Sequence, residues 1–216
     1  MFFMFDIYTM SPINDFFDKV FCINLDRRPD KWTEATEEFN RIGLEVERVS
    51  GVDGQTLAAL GNITPGERGC SLSHSGILKR MVENNWNKIL ILEDDAVFIP
   101  TVQEYFAANI GNIPTEWDML YFGGNHLNVP TPINPTISRI TRTYTTSHYG
   151  ISLNMAKTII ARIESFKNQV DVAYSEVHAH SKSFTFNPAI AWQRPGVSDI
   201  HNVFQDYTSF MKPKNL

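Results

Sequence analysis

Short apolar runs and helical-period segments alternate along the first half of the chain. Val20 to Leu25 is apolar apart from Asn24 and predicts a first strand. Pro29 then stands where a first helical residue belongs, and Trp32, Ala35, Phe39 and Ile42 follow at helical spacing until Gly43 closes the segment. Leu44 to Val49 alternates apolar and charged residues, which predicts a second strand, and Gly51-Val-Asp-Gly54 turns out of it. Thr64-Pro-Gly-Glu67 is a capping box with proline at the first helical position. The helix it opens is expected to run to about Glu83. Cys70, His74, Ile77 and Met81 share one of its faces, and Gly69, Ser73 and Gly76 share another made only of small residues. Such a face admits either a flat ligand or closely packed backbone.

Ile89 to Leu92 reads as a buried third strand, followed by a helix near Val102 to Ala108 and a fourth strand from Asp118 to Phe122. Asn125 to Pro135 has no periodicity and reads as a long loop, and long loops in compact domains often carry function. Strands resume at Ile137 to Thr145 and at His148 to Leu153. Asn154 is placed to cap a helix with Ile159, Ile160, Ile163 and Phe166 on its apolar side, and Asp171 to cap another through about His180. Phe184 to Phe186 and Ala189 to Trp192 are expected to close the sheet, and the last residues read as irregular. The β-α alternation predicts an α/β fold: a mostly parallel, Rossmann-like sheet between helices, with a smaller antiparallel part from the strand-rich second half. Neither a Gly-x-Gly-x-x-Gly fingerprint nor a Gly-Lys-Ser/Thr phosphate loop is present, which weighs against NAD binding and P-loop hydrolysis.

At 216 residues the chain fits a single domain, and 43% apolar against 20% charged residues excludes disorder. A net charge of -5 argues against a general nucleic-acid partner. Met1 to Asp6 is apolar but too short for a signal core or a span, and no later window approaches eighteen apolar residues. The expectation is therefore no transmembrane segment, with the arm packed on the domain or resting on a membrane or partner. Cys22 and Cys70 lack zinc-site spacing and read as small buried hydrophobes, which suits a reducing, cytoplasmic location.

The candidate chemistry lies where Ile89 to Leu92 runs directly into Glu93, Asp94 and Asp95. Carboxylates at a buried strand end must be paired, hydrated or bound to a cation. In open α/β sheets ligands sit beyond the carboxyl ends of the strands, and clustered oxygens suit Mg²⁺ or Mn²⁺. An acidic junction with solvated charges is the plain alternative.

Four blocks carry a resemblance to glycosyltransferase family 25, which includes lipooligosaccharide galactosyltransferases and procollagen galactosyltransferases. They are Ile23-Asn-Leu-Asp-Arg-Arg-Pro-Asp-Lys-Trp32, Gly66-Glu-Arg-Gly-Cys-Ser-Leu-Ser-His74, Ile91-Leu-Glu-Asp-Asp-Ala96, and Asn187-Pro-Ala-Ile-Ala-Trp-Gln193 with Ser198-Asp-Ile200 after it. The resemblance spans about residues 20 to 200 and implies a GT-A fold, a UDP-sugar donor, usually Mn²⁺ (or Mg²⁺), and inverting transfer of galactose or glucose. The implied acceptor is a hydroxyl on a glycan, a lipid-linked sugar or hydroxylysine. Glu93-Asp94-Asp95 resembles the Asp-x-Asp motif with glutamate first, which implies Asp95 as metal ligand and Glu93 facing the metal or the donor ribose. Asp94 then supports the fold or meets the donor sugar. Asn24 would meet the base or ribose, and Arg27, Arg28 or Lys31 a phosphate, unless these cations form a solvated helix start. Asp53 is a nucleoside contact or a turn aspartate, and Ser73 a nucleotide neighbour. His74 is a donor contact or a satisfied core residue. Asp171, at the family's Val-Asp position, and Glu176 are the general-base candidates. His201 or Asp199 would complete a metal shell, while His178 and His180 sit two apart on a helix and cannot face one ion. The rival readings are a sugar nucleotidyltransferase, which lacks its basic glycine-rich loop here, and a non-catalytic carbohydrate-binding scaffold that would tolerate loss of these carboxylates.

Overall fold

The computed structural model describes residues 11–165 and 167–213. In chain order the elements are α1 (Pro12–Phe16), β1 (Lys19–Asn24), α2 (Pro29–Arg41), β2 (Glu47–Ser50), α3 (Pro65–Asn84), β3 (Lys88–Glu93), β4 (Ala96–Phe98), α4 (Val102–Asn109) and β5 (Met119–Tyr121). There follow β6 (Asn125–His126), β7 (Thr131–Pro132), β8 (Ile137–Arg139), β9 (Thr143–Tyr144), β10 (His148–Ser152), α5 (Leu153–Glu164) and α6 (Val170–His178). The chain closes with β11 (Ser183–Phe186), β12 (Ala191–Gln193), β13 (Gly196–Val197), β14 (Phe204–Gln205) and α7 (Thr208–Met211).

Among the described residues the main sheet has eight strands in the order β2-β1-β3-β10-β5-β11-β8-β7. Six of them run one way, and only β10 and β8 run against them. Strand residues alternate between the two faces, so β3 sends Leu90 and Leu92 to one core and Ile89 and Ile91 to the other. The first core also takes Ala35 and Phe39 from α2 and Val102 and Phe106 from α4. The second takes Ile77, Leu78 and Met81 from α3, Ile159 and Ile163 from α5, and Tyr174 from α6. This is a helix-sheet-helix sandwich, with β3 buried on both faces, as an uninterrupted apolar strand requires.

The predicted capping box is present: Thr64 Oγ1 accepts from the Glu67 N–H at 3.3 Å, and Glu67 Oε2 accepts from the Thr64 N–H at 2.8 Å. The helix ends where Asn85 turns left-handed at φ 53°. A methyl group on Gly69 would sit 2.5 Å from the Val52 carbonyl oxygen and 2.9 Å from the Gly54 nitrogen. The small-residue face at this point therefore holds backbone, as the packing alternative requires. Gly76, by contrast, is exposed and meets nothing.

Several elements depart from the sequence expectation. Strand β2 begins at Glu47, because Leu44 is drawn under α2 into the first core. The predicted strand over 137–145 splits into β8 and β9, which pair in different sheets. The stretch after Asn125 holds the short strands β6 and β7. Ser152, not Asn154, caps α5, accepting from the Met155 N–H at 3.3 Å. Gln169 stands at the N-cap of α6, so Asp171 lies in its first turn. Strand β12 pairs with β4 in a separate ribbon and does not close the main sheet. The tail carries the β13–β14 pair and α7. The arm Met1 to Asp6 and Phe166 lie outside the described residues. Among the described residues, no helix is long and apolar enough to cross a membrane.

Candidate active site

Strands β1 and β3 are parallel, with Ile23 opposite Glu93, so Asn24 and the three carboxylates emerge at one edge of the sheet. There they floor a cleft of about 360 Å³, continuous with a hollow of about 120 Å³. Glu93, Asp94 and Asp95 belong to both. The larger part is walled by Tyr144, Thr145, Asp171, Gln193 and Tyr207, and the smaller by Leu25, Val52, Gly54, Gly66 and Ile200.

Glu93 Oε1 accepts from Thr146 Oγ1 at 2.7 Å and lies 3.3 Å from His74 Nε2. Burial alone would raise its carboxyl, but His74, Thr146 and His148 together outweigh burial and hold it below its ordinary range. His74 is fully buried; its Nδ1 lies 2.9 Å from the Tyr149 hydroxyl, which is 2.8 Å from that of Tyr174. It is a satisfied core residue that also touches the site. Asp95 Oδ2 accepts from Gln193 Nε2 at 2.7 Å, while its Oδ1 is buried without a partner among the described residues. Burial first, and then the charges of Glu93 and Asp94, push the Asp95 carboxyl up to about 7. A buried, unsatisfied carboxylate oxygen beside two further carboxylates is costly unless a cation meets it, so this donor set fits Mg²⁺ or Mn²⁺.

Asp94 turns to the other side, where Oδ2 accepts from Asn24 Nδ2 at 2.7 Å and Lys31 Nζ lies 3.9 Å from Oδ1. Burial pushes its carboxyl up. Asn24 is buried and fully engaged: Nδ2 also donates to the Arg28 carbonyl at 3.0 Å, and Oδ1 accepts from Arg48 at 2.7 and 3.0 Å. Its amide has no capacity left for a base or ribose, so the expected nucleoside contact gives way to a structural role. Ser73 is likewise occupied, accepting from the Val52 N–H and donating to the Gly69 carbonyl, both at 2.8 Å.

Arg27, Arg28 and Lys31 converge on Asp199, at 2.7 Å for Arg27 Nη1 and 2.8 Å for Lys31 Nζ. Burial works against the Asp199 charge, but Lys31, Arg27 and Arg28 hold its carboxyl below the ordinary range. Asp199 is therefore the counter-ion of the basic cluster and does not join the metal-type carboxylates. Asp53 accepts from Arg27 Nε at 2.8 Å and from the Gln55 N–H at 3.0 Å, which combines the turn role with a brace for the cluster. His201 is exposed on the cleft wall.

Asp171 faces the cleft from the first turn of α6, its Oδ1 accepting from the Val172 N–H at 2.7 Å. Burial, and after it the charge of Glu93, push its carboxyl up. Glu176 lies outside the cleft, exposed and paired with Arg162 at 2.9 Å and Asn168 at 2.8 Å. The fold does not bring it to the site, because α6 turns that face outward. Glu176→Gln is accordingly expected to leave any cleft activity within about twofold and to cost less than about 1 kcal/mol in a denaturation titration. His178 is buried against Tyr121, with Oη to Nε2 at 3.1 Å, and its Nδ1 accepts from the Thr143 N–H at 3.2 Å. Sequence reasoning missed Thr146, Gln193 and the cleft-lining position of Cys70. Gln193 carried a signal, since it ends the fourth resemblance block.

Ser73→Leu tests the small-residue face. The structure predicts a loss of about 1–3 kcal/mol from overpacking against the Val52–Gly54 turn, read as a shifted denaturation midpoint. Unchanged stability with weakened nucleotide binding would restore Ser73 as a ligand contact.

The sheet order and the carboxylates at its edge define the class: an α/β fold with its cleft at the carboxyl ends of the strands. A sequence profile of glycosyltransferase family 25 (LPS biosynthesis protein) matches residues 17–174. The chain belongs to glycosyltransferase family 25. It is 37% identical over 135 residues to a "Glycosyltransferase 25 family member" of Drosophila pseudoobscura pseudoobscura, covering 51% of this chain and 21% of that protein. It is 28% identical over 171 residues to "Procollagen galactosyltransferase 2" of Homo sapiens, covering 67% of this chain and 27% of that protein. The chain thus spans about a quarter of the length of these curated relatives. A solved structure, a glycosyltransferase involved in glycosylation of the major capsid of PBCV-1, aligns with TM-score 0.45 and 12% identity over 74% of this chain and 73% of its own.

Proposed function

We propose that the cleft transfers a hexose, galactose or glucose, from a UDP-sugar to a hydroxyl acceptor with inversion. The observation that carries this reading is the Asp95 Oδ1 without a partner among the described residues, in a cleft that Arg28, Lys31 and Asp171 also line. Asp95 and Glu93 would hold Mn²⁺ or Mg²⁺, which supplies Lewis-acid stabilisation of a leaving diphosphate. Gln193 fixes one Asp95 oxygen and leaves the other free. Arg27, Arg28 and Lys31 offer positive charge to the same diphosphate, in competition with Asp199. The small hollow, with Leu25 and Val52 on its walls, suits the flat, partly apolar nucleoside.

Asp171 takes the proton of the acceptor hydroxyl as that oxygen attacks the anomeric carbon. Its half-buried carboxyl, with its affinity for protons raised by burial and by Glu93, is a better base than a solvated aspartate. The diphosphate departs on the opposite face, and the remaining task is to position the two reactants. The acceptor is a glycan, a lipid-linked sugar or a hydroxylysine side chain. The test is a hydrolysis and transfer screen across UDP- and GDP-sugars with Mn²⁺. Turnover of a UDP-hexose supports the reading; melting temperatures unmoved by UDP with Mn²⁺, together with no turnover, would instead leave a binding scaffold.

A further inference from the structure

Cys70 and His74 stand four residues apart on α3 and so share a face. Glu93 meets them from the end of β3. One ligand atom from each of the three side chains lies within 4.8 Å of the other two. Thiol, imidazole and carboxylate make a donor set unlike the all-oxygen pair of Glu93 and Asp95. Three such ligands with an open fourth position are a form of site that Zn²⁺ takes, and sulfur and nitrogen donors favour Zn²⁺ over Mn²⁺ or Mg²⁺.

Two further observations point the same way. The other ring nitrogen of His74 is held by the Tyr149 hydroxyl at 2.9 Å, which Tyr174 holds in turn at 2.8 Å. Metal-binding histidines are oriented by such outer partners. Cys70 also lines the cleft, so an ion can reach it; burial, and after it the charges of Glu93, Asp171 and Asp95, push its thiol up, so an ion there must displace a firmly held proton.

We propose that Cys70, His74 and Glu93 form a binding site for a thiophilic divalent cation, Zn²⁺ foremost, with its fourth position open to the cleft. Binding releases the Cys70 thiol proton to solvent and involves no change of oxidation state. Glu93 is shared with the hard-ion site at Asp95, so occupancy by Zn²⁺ is expected to compete with that ion and lower transfer. That last effect rests on the transferase reading above; the ion site itself does not.

The experiment titrates Co²⁺ alone, as a coloured stand-in for Zn²⁺, into the full chain without donor or acceptor. The expected result is a near-ultraviolet sulfur-to-cobalt band with strong visible four-coordinate bands, saturating at one ion per chain and abolished by Zn²⁺. Cys70→Ala should lose the sulfur band and bind Zn²⁺ at least about a hundredfold more weakly. Tyr149→Phe, which keeps the ring and removes only the outer partner, should weaken Zn²⁺ about tenfold. A weak six-coordinate spectrum without the sulfur band in the wild-type chain would overturn the site, as would a band that survives in Cys70→Ala. A sulfur band in a chain that turns over no nucleotide sugar would support the ion site and count against the transferase reading alone.

Discussion

Asp171→Asn is expected to lower the rate of transfer by roughly 10²–10⁴, the usual contribution of general-base help. Asparagine keeps the size of the side chain and its place in the first turn of α6, so folding should persist. It cannot accept the acceptor proton. UDP and Mn²⁺ binding should stay within about threefold of wild type, because the basic cluster pairs with Asp199 and Asp53 rather than with Asp171. Single-turnover transfer alongside a UDP titration separates the two quantities. A matching loss of UDP affinity would make Asp171 a donor-side residue and remove it as the base.

Asp95→Asn is expected to reduce transfer by at least about a hundredfold. Here the loss should appear as weakened Mn²⁺ binding, since the variant removes the charge at a buried carboxylate oxygen that has no partner among the described residues. Activity within threefold of wild type in a folded variant would refute the metal assignment. The same residue sets a pH dependence. Its carboxyl titrates at about 7 in the folded chain, against about 3.9 when unfolded. Between those values the folded chain holds the extra proton, so without metal its stability falls as pH rises through that window. A cation must displace that proton, so Mn²⁺ affinity should rise with pH until about 7 and then level off. Asp95→Asn should flatten both dependences, which melting curves and Mn²⁺ titrations across pH 5 to 8 would reveal.

The sheet and its helices were readable because apolar runs and helical spacings are local. Pro29, the Thr64 capping box and the run Ile89 to Leu92 each act within a few residues of themselves. The carboxylates at the end of β3 were readable for the same reason. What escaped was set by distant partners. Leu44 looked like a strand residue until α2 claimed it for the core. Residues 189–192 looked like a closing strand, but β12 finds its partner in β4. Asn24 and Ser73 are polar residues beside a cleft, and only their hydrogen-bond partners reveal them as structural. Asp199 could not be assigned to Arg27, Arg28 and Lys31 from spacing, nor Gln193 to Asp95. Glu176 shares a helix with Asp171, yet five residues at about 100° each set it roughly 140° round α6, which separates a cleft residue from a surface ion pair.

The cleft is tied together by bridges between far-separated parts of the chain. Asn24 to Asp94 spans 70 residues, Asp95 to Gln193 spans 98, and Arg27 to Asp199 spans 172. Closing loops of such length costs entropy before any contact repays it, and non-local contacts of this kind slow folding. The β1–β3 sheet core can assemble from residues 19–93, whereas the Asp95 and basic-cluster contacts must wait for residues 193–199. During synthesis Asp95 would therefore lack Gln193, and the basic cluster would lack Asp199, until residues 193–199 leave the ribosome. Competence to bind a ligand there should arrive only after those residues have docked.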